Sequence, residues 1–307
     1  MLDKDTFIRY IEAIPAEDWC KTWPAEKTIM LRMTSKTVRE VIDNMNLPVV
    51  VRLCRKFWNI TCNGKLDVKL QFIKCQLNVL VTKYRITTLD FNSINIGPAG
   101  VESLVSVIGQ CSALTHLNLN SSNIGSAGAE CIAPAIMQCT GLTHLILSNN
   151  QIGDYGTESL TTAIIHSTSL ACFDFSDNPI GLAGINNLAY MISQCSSLKG
   201  LKLEFIRFGN AGIEIIAPAI MHCSELTYLN LSSNYIGPEG AVKLSAVLGQ
   251  CHNLTHLILS DNLIGDTGVD KLADVLPQCH NLFHLDLRCN SIGNAGAERL
   301  RKMLSRR

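Results

Sequence analysis

Histidine and cysteine are the side chains through which this sequence could do chemistry, and both recur at one interval. His116 and His144 lie 28 residues apart, as do His256 and His284. Six of the 13 cysteines (Cys111, Cys139, Cys195, Cys223, Cys251 and Cys279) fall on the same 28-residue grid, with Ser167 in the vacant place. Imidazole and thiolate ligate zinc, move protons and attack electrophiles. The spacing argues against each use. Zinc cysteines come in close pairs, and no Cys-x-x-Cys occurs. A catalytic histidine works with a partner group at a fixed place beside it, most often a carboxylate. Asp90 and Asp286 instead stand at the ends of the series, and Ile146 and Ile258 follow two of the four histidines. Glycine-rich phosphate loops, nucleophile elbows and paired carboxylates are all missing from the sequence. We therefore expect no catalytic residue, no cofactor and no metal site. One cysteine per unit suits a column of small buried side chains. The histidine column leaves one functional expectation, pH-sensitive binding.

The grid belongs to the elements that carry these residues. From Ile86 the sequence repeats every 28 residues without insertion, with copies starting at Ile86, Leu114, Leu142, Leu170, Leu198, Leu226, Leu254 and Leu282 (repeats 1 to 8). Positions 4 and 6 of each copy are apolar, as in Leu145 and Leu147, which predicts a short strand with one buried face. Position 9 is Asn in five copies: Asn150, Asn178, Asn234, Asn262 and Asn290. Position 12 is always Gly. Position 13 is often of helix N-cap type, as in Ser126, Asp154, Asn210, Asp266 and Asn294. Position 15 is Gly in all eight copies, where a side chain would hold helix and strand apart. Positions 16, 19 and 23 then form a helical stripe, as in Val269, Leu272 and Leu276. Pro134 and Pro218 fall inside these helices and should kink or shorten them.

Strand then helix in 28 residues leaves no room for a second strand, so the sheet must be parallel, with every helix on one side. Strands sit ~4.8 Å apart and helices ~8–10 Å apart, so the stack must curve. The skeleton L-x-x-L-x-L-x-x-N-x-I-G, written in full from Leu142 to Gly153, resembles a leucine-rich repeat. The helix-bearing 28-residue form is similar to the repeats of ribonuclease inhibitor and of NOD-like receptors. That resemblance implies an α/β solenoid, a horseshoe with a concave parallel sheet and convex helices, whose position 9 Asn turns inward to bond backbone groups. It also implies a surface that binds macromolecules by area. The expected partner-binding residues, on the concave face, are His116, Asn118, His144, Asp174, Lys202, Glu204, Phe205, Arg207, Tyr228, Asn230, His256, His284, Asp286 and Arg288. Repeat 5 departs most from its neighbours, with Lys202, Glu204, Phe205, Ile206, Arg207 and Phe208. An aromatic and an arginine near the middle of a binding face are hot-spot types. The plainer reading is drift, with Ile206 and Phe208 filling the core.

The preceding residues divide at Pro48. Residues 1–48 carry helical patterns without the repeat. Ile14-Pro15-Ala16-Glu17 followed by Met30 to Asp43 resembles an F-box. That likeness implies docking to the adaptor of a cullin-type ubiquitin ligase through Ile14, Pro15, Leu31 and Met33. Val38 stands where an F-box usually has Trp. The alternative is a helical cap on the solenoid's open end. Residues 49–85 suit a degenerate capping repeat, with Phe57–Cys62 as its strand and a helix through Leu66, Leu70, Ile73, Leu77 and Leu80. Residues 86–307 hold the eight repeats.

Bulk properties narrow the function. Twenty-six cationic side chains balance 26 acidic ones, so no overall field draws nucleic acid or an anionic membrane. No apolar run approaches the ~18 residues of a membrane span. Mostly free thiols and an N-terminus without a secretory pattern point to a reducing compartment, the cytoplasm or alternatively the nucleus. The expected molecule is a monomeric, non-catalytic scaffold that binds a protein partner. A ligase substrate receptor is the alternative. A GTPase activator or innate-immune-type repeat protein ranks below both, because Ran-type activators carry an acidic tail and this sequence ends in Arg299, Arg301, Lys302, Arg306 and Arg307.

Overall fold

Leu and Ile at positions 1, 4, 6 and 11 are set among polar neighbours, and in the computed structural model they form the packed interior. Leu145, Leu147 and Ile152 are fully buried, as are Leu257, Leu259 and Ile264. The structure describes residues 49–52, 74, 77, 78, 81 and 85–304. Nine parallel strands lie in one sheet in sequence order: β1 (Val49–Arg52), β2 (Ile86–Asp90), β3 (His116–Asn118), β4 (His144–Ile146), β5 (Cys172–Asp174), β6 (Gly200–Lys202), β7 (Tyr228–Asn230), β8 (His256–Ile258) and β9 (His284–Asp286). From β2 to β9 the register places like positions opposite each other, as in His116 against His144 and Asn118 against Ile146. The helices of the eight repeats are α1 (Gly97–Gln110), α2 (Gly125–Gln138), α3 (Gly153–Ile164), α4 (Leu182–Gln194), α5 (Gly209–Ile220), α6 (Pro238–Leu248), α7 (Gly265–Val275) and α8 (Asn294–Leu304). Each helix packs on the next, and the core runs unbroken between helices and sheet.

The inward asparagine behaves as the resemblance implied. Asn150 Oδ1 accepts from the N–H groups of Ser122 (3.0 Å) and Ile124 (3.3 Å) in the preceding repeat. Its Nδ2 donates to the carbonyls of Leu119 (2.7 Å) and Leu147 (2.9 Å). Buried turn backbone would otherwise be orphaned, at a cost of ~1–3 kcal/mol per group. The cysteine column is equally structural. Cys279 Sγ donates to Leu248 O of the preceding repeat at 3.2 Å. Burial pushes the Cys111 and Cys223 thiols up to about 12, so both stay protonated.

Four expectations need correction. Position 13 does not cap its own helix. Asp154 Oδ1 instead accepts from Gly181 N (2.7 Å) and Gly184 N (3.2 Å), capping α4 of the following repeat. Asn210 does the same for α6 through Gly237 (2.8 Å) and Gly240 (3.1 Å), and Asp266 reaches Gly293 at 2.7 Å. The helices already begin at Gly153, Gly209 and Gly265, so position 13 lies inside the first turn rather than at its N-cap, and its side-chain oxygen sits one repeat spacing from the next helix's free donors. Position 15 glycine admits the preceding helix and the residue just before its own helix, rather than the strand. A Cβ on Gly156 would lie 2.6 Å from Ile152 Cγ2, 3.0 Å from Ala129 Cβ and 3.1 Å from Ser126 Cα, the last two on α2. Pro134 does not shorten α2, which keeps the 14 residues of α1. The strand paired with β2 is Val49–Arg52, eight residues before the Phe57 start of the segment expected to form it; residues 57–62 lie outside the described residues.

Candidate open-face binding site

Strand residues alternate between faces, so positions 3, 5 and 7 lie on the face away from the helices. The structure divides the expected site residues into three groups. His116, Asn118, His144, Asp174 and Asn230 are buried, because flanking strands bring neighbours close on both sides, and Asp286 on the end strand β9 is buried with Arg288 bonded to it. Lys202, Glu204, Tyr228 and His256 are half-buried. Phe205, Arg207, His284 and Arg288 are exposed. Phe205 and Arg207 are not on the floor of the face. They stand at positions 8 and 10, in the loop after β6, both with left-handed backbone (φ 55° and 68°).

At the N-terminal end the floor is closed by a histidine stack. The His116 and His144 rings lie 4.0 Å apart, inclined by 14°. Each is oriented by the threonine before it. Thr115 Oγ1 donates to Thr87 O (3.0 Å) and contacts His116 Nδ1 at 2.7 Å. Its single proton is committed to the carbonyl, so Nδ1 must be the donor in that contact. The same reasoning makes Nδ1 the protonated nitrogen of His144, beside Thr143, and of His256, beside Thr255. Burial first, and the facing His144 second, lower the His116 pKa to about 4. The threonine before each of these histidines was visible in the sequence but carried no recognised signal. Among the described residues no group of three or more His, Cys, Asp and Glu could hold a metal.

At the C-terminal end the floor is open and aromatic. Tyr228 and His256 lie 5.6 Å apart, and His256 is 4.5 Å from Phe283 and 5.5 Å from His284. Phe283 replaces the usual position 2 threonine and was not anticipated. Two charge pairs on the floor are matched internally. Lys202 Nζ is 3.8 Å from Asp174, and Arg288 holds Asp286 through two bonds of 2.9 and 2.6 Å. That fork holds the Asp286 carboxyl down at about 2.

The sequence of these repeats matches a known repeat family. Residues 110–133, 138–160, 222–245, 250–273 and 278–300 fit the family model described as a Leucine Rich repeat. The chain carries tandem leucine-rich repeats. Residues 161–221, which hold all of repeat 4 and most of the divergent repeat 5, fall outside the matched stretches. No curated protein matches the chain. Among the described residues no helix is long and apolar enough to cross a membrane. The F-box-like residues Ile14, Pro15, Leu31 and Met33 lie outside the described residues.

Proposed function

We propose that this chain is a non-catalytic scaffold that holds a protein partner along the open face of its sheet. One observation carries the reading. All nine described strands lie side by side with one face packed on the helices, and no described element covers the other. Such arrays bind by area, and the aromatic cluster of Tyr228, His256, His284 and Phe283 supplies hot-spot side chains. The test uses the full chain as bait in extracts of its source cells, beside a variant with Tyr228→Ala, His256→Ala and Arg288→Ala. A partner retained by the wild type and held about tenfold more weakly by the variant supports the reading. A partner held equally by both overturns the placement on the open face.

The F-box-like motif supports a second reading, a substrate receptor that delivers the bound partner to a cullin-type ligase. Recovery of the ligase adaptor with the full chain, and its loss with Pro15→Ala and Leu31→Ala together, is the expected result. No adaptor on the wild type leaves the plain scaffold.

A further inference from the structure

Two loop columns border the open face where the strands end, at positions 8 and 10. All eight position 8 residues adopt positive φ, as do Asn123, Gln151, Arg207, Tyr235 and Ser291 at position 10. Small polar types suit this conformation, and most of the two columns is Ser, Asn, Asp or Gln. Large apolar side chains enter only on three consecutive repeats. Phe205, Tyr235 and Leu263 are 52%, 57% and 54% exposed. The edge they occupy is a rigid rail. Phe205 N donates to Ser232 O (3.2 Å), Ser233 N to Ser260 O (3.0 Å) and Leu263 N to Ile236 O (2.8 Å). Adjacent rungs are therefore about one strand spacing, ~4.8 Å, apart.

The charge along this stretch is uneven. At positions 7, 8 and 10 of repeats 4 to 7 stand the carboxylates Asp177, Glu204 and Asp261 and one cation, Arg207. The rail joins two of the carboxylate-bearing loops, since Asp177 N donates to Glu204 O at 2.7 Å. The nearby Lys202 is already held by Asp174. Glu204 Oε2 receives a long 3.3 Å bond from the neutral amide of Asn230, with Ser232 and Lys202 as its other favourable neighbours.

We propose that Phe205, Tyr235 and Leu263 form a docking edge for a partner segment that carries a cationic side chain between apolar ones, with the cation met by Glu204, Asp177 and Asp261. This rests on the scaffold reading and narrows it to one edge of the sheet and one partner chemistry. Exposed apolar side chains gathered on one edge mark an interaction surface. The excess of carboxylate selects a basic segment over an acidic one, because like charges brought together across an interface are repelled. Burial already raises the Glu204 pKa, and a partner's cation offsets that desolvation.

The test pans a displayed library of random peptides against the full chain. Enriched peptides are then titrated against the wild type, Phe205→Asn, Glu204→Gln and a control, Asn95→Ala, at position 10 of repeat 1. Enriched sequences are expected to combine Lys or Arg with apolar residues. Phe205→Asn should weaken them about tenfold and Glu204→Gln about fivefold, with Asn95→Ala unchanged. Affinity should fall with added salt. Asn favours positive φ, so Phe205→Asn should melt no lower than the wild type, which separates lost contact from lost fold. Acidic or neutral enriched peptides overturn the partner chemistry. Basic peptides that ignore Phe205→Asn and Glu204→Gln but are lost with Tyr228→Ala move the site to the floor and leave the scaffold reading intact. A library that yields no binder overturns the docking edge, and the extract experiment then decides the scaffold reading by itself.

Discussion

Single residues in this protein are set by what the adjacent repeat offers them. The Asn150 side chain makes five bonds, four of them to the groups described above and the fifth to Ser148 O at 3.1 Å. Asn150→Ala leaves several buried backbone groups without partners and should cost about 3 kcal/mol, measured as a lower urea midpoint. His116 makes a prediction in pH. Its folded pKa, about 4, lies below the ordinary value of 6.5. Above pH 6.5 the ring is neutral folded or unfolded and contributes nothing. Between 6.5 and 4 the unfolded chain takes up the proton first, so stability falls as pH falls, and the loss is complete below 4. The contribution at pH 5 should be about 1–2 kcal/mol. It is read as the difference between the pH 7 and pH 5 urea midpoints, and His116→Gln should shrink it. An unchanged difference in that variant refutes the assignment.

The element scale is governed by coupling between successive helices. Gly181 and Gly237, each preceded one repeat earlier by Asp154 or Asn210, are extended with ψ near 180°, and Gly293, preceded by Asp266, is likewise absent from the positive-φ positions. Gly97, Gly125, Gly153, Gly209 and Gly265 have positive φ and no such partner upstream. Position 13 of one repeat thus goes with the loop conformation of the next. Asp154→Ala should remove the cap of α4 and cost about 1 kcal/mol. Asp154→Asn should cost far less, because Asn210 makes the equivalent bonds with a neutral amide. Thermal denaturation of the two variants checks this, and equal losses would show that the cap needs charge rather than an oxygen acceptor.

Across the whole molecule, the asparagine ladder is continuous from Asn234 through Asn262 to Asn290 and again from Asn150 to Asn178, with a gap at repeat 5. There Ile206 fills the core, fully buried, and offers no side-chain oxygen to repeat 4. In a solenoid each repeat contacts only its neighbours, so a weak junction is felt locally. Amide hydrogens of Asn178 and Ile180 should exchange faster than those of Asn150 and Ile152, whose N–H groups donate to Asn178 Oδ1 at 3.1 and 3.2 Å. Equal protection in native-state hydrogen exchange would show that packing, not the ladder, sets local stability. The C-terminal helix closes the other end with ion pairs. Arg299 holds both Asp270 and Asp274 of α7, and Arg301 holds Glu298, so part of the basic terminus is committed to the fold.

The architecture was legible from residue spacing because each repeat carries its own instructions. Leucines at positions 4 and 6 can be buried only by a strand, the stripe at 16, 19 and 23 only by a helix, and the constant period puts like on like. The buried fate of the cysteine column followed from the same register. Which open-face side chains stay accessible did not follow, because accessibility depends on the neighbours on both flanking strands. His116 and His284 share a repeat position, yet the first is closed beneath a ring stack and the second lies open on the last strand. The reach of Asp154 to the next helix, and the placing of Phe205, Tyr235 and Leu263 along one edge, likewise arise only when residues about 28 apart are brought within a few ångströms. The period names the strands and helices; stacking one repeat on the next decides which side chains meet each other and which are left to meet a partner.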